Sequence, residues 1–290
     1  PEALIERYGA DPVRYWACGG ALGADRPINE EEMRQGGRLI TKLWNAARLI
    51  AGIENEELKI ENGSPTASQL SILNSQLLPA DRALLSWLQR LIIRATESFQ
   101  GYDYAAAGQA TERFFWGTLC DNYLEWVKGR LYDGSSEERH AAQATLHQAL
   151  LATLKLFAPI LPHITEEIFQ RLYGGTANAD TKSSGFNSIH SSAWPRADHA
   201  LIDEPAERAG AALLAITGAA RRFKSSRKLG LGAELAHIAI AAGDKALRAD
   251  LERSQADIRS VTRAREIAFA EAPDERFEEL EPGLWMRIEA

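Results

Sequence analysis

Apolar residues recur every three to four positions over the first two thirds of the chain, a spacing that predicts a series of amphipathic helices. Polar residues with the spacing of a capping box precede two of these helices, Asn29 with Glu32 and Ser135 with Glu138. Asp11, which a proline follows, predicts a further helix start with the aspartate as N-cap. The first part of the chain is therefore expected to be helical.

The pattern changes near residue 204, where short alternating runs typical of β-strands come between helices. We therefore expect a mainly α protein, in which a helical bundle is followed by a small α+β C-terminal domain. The polar stretch Glu54–Gln76 predicts an exposed connection within the bundle. The predicted domains are a connector over 1–35, the bundle over 36–196 and the α+β domain over 203–290.

Composition limits the possible functions. The chain has 290 residues, 45% of them hydrophobic and 25% charged, as in soluble globular proteins. It contains neither a secretory signal nor the roughly 18 apolar residues in a row of a membrane span, and two cysteines fit a reducing compartment, so we expect a cytoplasmic protein. The first residue is not Met, and we expect a part of a longer polypeptide. A net charge of -7 leaves room only for a local basic face toward nucleic acid.

One helix has such a face. Between Glu32 and Glu54 the sequence contains no acid, and its polar residues fall within an arc of about 120° when each residue turns by about 100°. Residues of this face are Arg34, Arg38, Lys42, Asn45 and Arg48, with Trp44 at its edge. A solvated helix face is one interpretation. The other is a strip that holds phosphates and recognises a base edge, which the missing counter-charge favours.

Two further segments have both a structural and a nucleic-acid interpretation. In the aromatic helix over 111–132 most rings are expected in the core, and Trp126 at the edge of the apolar arc is the ring expected to be partly exposed and available for stacking. The segment Arg221–Lys228 has five basic residues in eight. It is either a solvated helix end or a phosphate contact through Arg221, Arg222 and Lys224.

The sequence has no catalytic signature. It lacks a phosphate-binding loop, a dinucleotide-binding glycine motif and the H-E-x-x-H pattern of zinc enzymes, and its six histidines are dispersed. We therefore predict no catalytic residue, no metal ligands and no cofactor in this chain.

Five segments, in the same order as in the family, carry a resemblance to the C-terminal, anticodon-binding part of class I aminoacyl-tRNA synthetases. They are PEALIERYGADPVRYW at 1–16, KLWNAARLI at 42–50, FFWGTLCDNYLEWVKGRLY at 114–132, LFAPILPHITEEIFQRL at 156–172 and SIHSSAWP at 188–195. The third segment resembles the valine-specific members most closely, around Cys120-Asp121 and Tyr123-Leu124-Glu125.

The resemblance implies that the bundle grips the anticodon stem-loop of tRNA(Val). Lys42, Asn45 and Arg48 become candidate RNA contacts with Arg38 as phosphate support, and Arg14 and Arg34 are candidates in the connector. The resemblance also implies that the full-length enzyme attaches valine to tRNA(Val) with ATP and Mg²⁺. Its catalytic and editing domains would be partners on the same polypeptide, and the protein would be a monomer.

This chain departs from the family pattern in several places. The nucleotide-binding fold, the editing domain and the KMSKS-type loop are missing, so the chain alone is expected to be inactive and to hold no cofactor. It also lacks the long basic coiled coil of many bacterial valine enzymes. The segment RRFKSSRKLGLGAELAHIAIA at 221–241 instead resembles a small α+β tail found in some valine and in isoleucine enzymes, which keeps the corresponding part of an isoleucyl-tRNA synthetase as an alternative. A helical protein-interaction module without RNA is the second alternative.

Overall fold

A computed structural model describes residues 2–52, 77–173 and 188–289 of the protein. The predicted connection Glu54–Gln76 lies outside these residues. Contacts divide the chain into two units. The first unit is Pro1–Ile72, Leu88–Gly117 and Leu146–His199, and the second is Leu73–Trp87, Thr118–Thr145 and Ala200–Ala290. The domain limits inferred from the sequence stay predictions.

Helices dominate the described residues, as predicted for the mainly α class. They are α1 (Glu2–Tyr8), α2 (Ala10–Cys18), α3 (Glu30–Ala51), α4 (Pro79–Gln100), α5 (Tyr104–Arg113), α6 (Leu124–Asp133), α7 (Ser136–Phe157), α8 (Pro162–Leu172), α9 (Glu204–Ser226), α10 (Lys245–Arg253) and α11 (Gln255–Thr262). Single 3₁₀ turns lie at Ile189–Ser191 and His199–Leu201. The segment Phe114–Tyr123 between α5 and α6 is a π-helix, a wider form that often marks functional positions.

The capping box predicted at Ser135 is confirmed, and Asn29 is confirmed as an N-cap. The Asn29 side chain accepts hydrogen bonds from the backbone N–H groups of Glu31 and Glu32, at 3.0 and 3.3 Å, at the start of α3. At the start of α7, the Ser135 hydroxyl accepts from the backbone of Glu138, whose carboxylate accepts in return from the Ser135 backbone at 3.1 Å. These contacts satisfy amide groups that have no partner within the helix.

Asp11 caps a different helix from the one predicted. Helix α2 begins at Ala10, and Asp11 lies inside it, buried. Its carboxylate accepts from the backbone N–H groups of His163 and Ile164, at 3.2 and 2.8 Å, in the first turn of α8. The N-cap position of α8 is Leu161, which has no side-chain acceptor. A buried carboxylate from α2 therefore supplies what the sequence around α8 lacks.

The second unit contains a four-stranded sheet. Its strands are β1 (Leu235–Ala242), β2 (Ala264–Ala270), β3 (Glu278–Glu281) and β4 (Leu284–Glu289), in the order β2-β1-β4-β3. β1 is parallel to β2 and antiparallel to β4. Helices α10 and α11 form the connection between β1 and β2, as parallel pairing requires. The predicted α+β character is confirmed. Strand β3 was not predicted, because this acidic edge strand has no apolar alternation.

A buried ionic network also lies in the second unit. The guanidinium of Arg130, on α6, donates to Asp81 at 2.7 and 2.9 Å and to Asp257 at 2.8 and 3.2 Å. Arg130 is 1% exposed and both carboxylates are 0% exposed. The Tyr123 hydroxyl donates to Asp81 at 2.6 Å. One arginine thus serves two buried carboxylates, and burial raises the pKa of Asp257 to about 6 against the opposing attraction of Arg130.

Candidate nucleic-acid interface

Helix α3, in the first unit, has the two faces that its sequence predicts. The side chains of its apolar face are buried, including Met33, Leu39, Leu43 and Ile50. On the other face Arg34, Arg38, Asn45 and Arg48 are exposed, and Lys42 is partly exposed. We call these five residues the α3 strip. Burial of the opposite face orients the strip outward.

The strip is not free of counter-charge at its N-terminal end, contrary to the prediction. Arg34 pairs with Glu30 and Glu31, both at 3.2 Å, and Arg38 pairs with Glu31 at 3.0 Å. Glutamates of the first helical turn reach these arginines because residues three, four and seven apart share one side of a helix. Hydrogen bonds from Arg38 and Arg34 accordingly lower the pKa of Glu31.

These ion pairs leave both arginines usable. The Arg34 and Arg38 side chains are 47% and 57% exposed, and solvent screening makes ion pairs this exposed weak. A phosphate could therefore replace the glutamate at small cost. Farther along, no described residue forms a hydrogen bond or ion pair with the side chain of Asn45 or Arg48. Toward the described residues, Asn45 and Arg48 thus present an open amide and an open guanidinium.

A tryptophan borders the strip on each side. On one edge the Lys42 ammonium lies 5.1 Å from the ring centroid of Trp116. On the other edge Trp44 lies beneath the guanidinium of Arg171, at 4.9 Å. Both indole rings are partly exposed. The helical period of α3 predicts Trp44 at this edge. Trp116 and Arg171 were not predicted, because contacts between helices far apart in sequence leave no pattern in a single helix.

Arg14 has a structural partner in the first unit. Its guanidinium donates to the backbone carbonyls of Pro159 and Ile160, at 2.7 and 3.2 Å, just beyond the end of α7. A cation is favourable near the C-terminal end of a helix, where carbonyl groups have no helical partner. The side chain remains exposed. An RNA contact by Arg14 stays a prediction.

The prediction that Trp126 is partly exposed is wrong. The residue is 0% exposed and its indole N–H donates to the Thr217 hydroxyl of α9 at 2.9 Å. Helix α9 covers the edge of the apolar arc, which the periodicity of one helix cannot reveal. A buried indole requires such a partner, and this ring is therefore unavailable to a nucleotide.

Of the three basic candidates on α9, Arg222 alone is exposed. Arg221 is partly buried and donates to the Asn122 side chain and the Asp121 carbonyl, at 3.1 and 2.6 Å. Lys224 is 2% exposed and donates to the Leu231 carbonyl at 2.8 Å, and burial lowers its pKa. An exposed phosphate contact through Lys224 is therefore wrong. Lys224 follows the buried residue Ala220 by four positions, so it lies on the inner face of α9.

In the part of the chain that the structure describes, no three His, Cys, Asp or Glu side chains are grouped to hold a metal ion. Among the same residues, no helix has the length and apolar content that crossing a membrane requires.

The known proteins that this chain resembles are tRNA ligases. The family model of the anticodon-binding domain of tRNA ligase matches residues 81–240, and the chain belongs to this family. The chain is 35% identical over 279 residues to the valine–tRNA ligase of Rickettsia felis, covering 94% of this chain and 30% of that protein. It is 38% identical to those of Anaplasma marginale, over 226 residues, and Methanothermobacter thermautotrophicus, over 236 residues.

The alignments with the latter two cover 78% and 81% of this chain but 24% of each relative. The chain thus spans under a third of the length of these curated relatives. The predicted resemblance to the valine-specific synthetases is confirmed. A solved structure, the agnB2 LeuRS of Agrobacterium radiobacter K84 in a ternary complex with tRNA and LeuAMS, matches 70% of this chain and 21% of that chain, with 18% identity and a TM-score of 0.47.

Proposed function

We propose that this chain is the tRNA-binding part of a valine–tRNA ligase, and that the α3 strip of its first unit grips the anticodon arm of tRNA(Val). The full-length enzyme would attach valine to this tRNA. We assign ATP, Mg²⁺ and the chemistry to the catalytic domain of that enzyme, and we expect it to be a cytoplasmic monomer. Membership in the anticodon-binding family and the similarity to valine–tRNA ligases support this proposal.

The observation that carries the proposal is that the side chains of Asn45 and Arg48 form no hydrogen bond or ion pair with any described residue. Arg48 can hold a phosphate oxygen by paired N–H donors, and the Asn45 amide can both donate to and accept from a base edge. RNA recognition by sequence targets unpaired loop bases, which display these edges. Arg38 and Lys42 lie on the same outward face and can add phosphate contacts.

Replacing Lys42 and Arg48 together with Ala tests the proposal. Binding of a fluorescein-labelled tRNA(Val) transcript would be followed by anisotropy between about 50 and 200 mM salt. Two lost phosphate contacts should weaken binding to every tRNA and flatten the log–log salt slope by roughly 1.5 to 2. Arg94 and Arg196, exposed in the same unit but outside α3, provide the matched double-Ala control. Unchanged affinity in the Lys42/Arg48 variant would contradict the assignment of α3.

Asn45→Ala tests base recognition separately. The loss of an amide that pairs with a base edge should cost about 1–3 kcal/mol for the cognate anticodon alone. The variant should therefore bind tRNA(Val) and tRNA(Ile) transcripts more equally than the parent chain, with an unaltered salt slope. An unaltered preference would place base recognition at other residues.

The same titrations distinguish the alternatives. The corresponding part of an isoleucine enzyme would prefer tRNA(Ile) to tRNA(Val). A protein-interaction module would bind neither transcript in a salt-dependent manner. Among the described residues, no contact favours either alternative over the proposed one.

A further inference from the structure

The tryptophans beside the α3 strip differ from the others in the bundle by what covers them. Trp126 is enclosed by protein, whereas Trp44 and Trp116 each have a cation over one ring face. Lysine and arginine keep their charged ends in contact with water. An ammonium or guanidinium above an indole therefore marks a ring face at the solvent boundary.

We propose that Trp44 and Trp116 are stacking platforms for two unpaired nucleotides of the bound RNA loop, and that Arg171 and Lys42 leave the rings as the bases arrive. This inference rests on the proposed function of the α3 strip. The ligand at the two edges of the strip is then a pair of single-stranded nucleotides whose base faces are unstacked. A duplex would not serve, because its bases are already stacked on one another.

Relative strengths favour the exchange. Base stacking on an aromatic side chain changes affinity by about 5- to 150-fold per base, whereas an exposed cation–π contact corresponds to only about 2- to 5-fold. The displaced cations do not lose their function, since each nucleotide brings a phosphate. Arg171 pairs with Glu167 at 2.6 Å, and this ion pair stays available to it when it leaves the ring.

Geometry places the platforms where an RNA strand on the strip would meet them. Lys42 and Trp44 are two positions apart on α3 and so project about 200° apart around its axis, on either side of Asn45. Bases splayed from a loop whose backbone follows Arg38 and Arg48 would therefore reach a ring on each side. The strip would hold the phosphates while its edges hold the bases.

Two RNA hairpins test the proposal with the full chain. One is the anticodon stem-loop of tRNA(Val), and the other has the same backbone with abasic loop nucleotides. The parent chain should prefer the first hairpin by about 5-fold or more for each platform. Trp44→Leu and Trp116→Leu should each lose that factor and leave binding of the abasic hairpin unchanged, and the Phe variants should retain most of it.

Trp194→Leu is the matched control. This residue is a partly exposed tryptophan of the same unit. Its indole N–H donates to Thr96, and no described cation lies over its ring. The control should keep the preference for the base-bearing hairpin. Circular dichroism of each variant would verify its fold, and quenching of tryptophan emission in the parent chain gives a readout that needs no variant. The base-bearing hairpin should quench more strongly than the abasic one.

The outcomes separate the two proposals. If the parent chain binds neither hairpin, the proposed function of the strip fails and the stacking inference fails with it. If the parent chain binds both hairpins equally with equal quenching, the stacking inference is overturned together with base recognition by Asn45, whereas the phosphate grip of the strip stands. If the folded Leu variants keep the preference, the stacking inference alone is overturned. Should the Leu variants not fold, the comparison of quenching in the parent chain still decides.

Discussion

Arg130→Met would break the buried network of the second unit and leave two carboxylates without their cation. Asp81 and Asp257 lose four hydrogen bonds at once, and neither has access to water. Removal of one partner from a buried ion pair costs about 3–5 kcal/mol, because the remaining charge is still desolvated. Met fills much of the volume of the arginine stem, so the lost stability would come from the missing charge rather than from a cavity.

The cost should depend on pH in a definite direction. The folded-state pKa of Asp257 is about 6, above the ordinary 3.8, because of burial. Loss of Arg130 removes the one cation that opposes this shift, and the pKa must rise further. A carboxyl with a raised folded-state pKa is stabilising when protonated, so stability falls as pH rises through that pKa. Relative to the parent chain, the variant should therefore lose more unfolding free energy at pH 8 than at pH 5.

Urea unfolding of the parent and the variant at both pH values measures this cost. Arg276→Met, which removes an exposed partner of Asp274, is the matched control and should leave the free energy of unfolding nearly unchanged at both pH values. Adding Asp81→Asn and Asp257→Asn to Arg130→Met should recover part of the lost stability. A loss below about 1 kcal/mol at both pH values, or an equal loss at both, would refute the reasoning.

Two other contacts of the first unit give predictions. Asp11→Ala should destabilise the chain by about 1–2 kcal/mol in urea unfolding, because the first turn of α8 loses its acceptor. Asp11→Asn keeps a side-chain oxygen and should lose less stability. An equal loss of stability in both variants would contradict a capping role. Burial lowers the pKa of His147 to about 4. Since protonation then favours the unfolded chain, stability should fall by about 3 kcal/mol as pH drops from 6.5 to 4. His147→Leu should flatten that part of the profile, and an identical profile in the variant would show that another group is responsible.

Local sequence was sufficient for much of the fold. The N-caps at Asn29 and Ser135 were predicted because each depends on residues three positions apart, and both are present. Asp11 has the same chemistry, but its acceptor serves residues 163 and 164, more than 150 positions away. Such a contact depends on how helices pack. The sequence shows that a capping residue is available and leaves open which helix it caps.

Charge placement separates what was predictable in the candidate site from what was not. Lys224 and Arg130 lie at positions that helical periodicity already assigns to the inner faces of α9 and α6, so their burial could have been predicted by following the period and disregarding the charge. The pairing of Arg34 with Glu30 was equally accessible, because both lie on one side of α3 within one turn. The cations over Trp44 and Trp116 were not, since each contact joins elements distant in sequence.

This difference alters how a basic helix face should be interpreted. Absence of acids after Glu32 in α3 does not by itself indicate a nucleic-acid surface, because glutamates in the first turn compensate the first two arginines. Evidence for RNA comes instead from Asn45 and Arg48, which remain open toward every described residue, and from the tryptophans beside them. Phosphates alone would need no aromatic border. A border of indoles around an open amide and guanidinium is suited to a strand that presents both phosphates and unstacked bases.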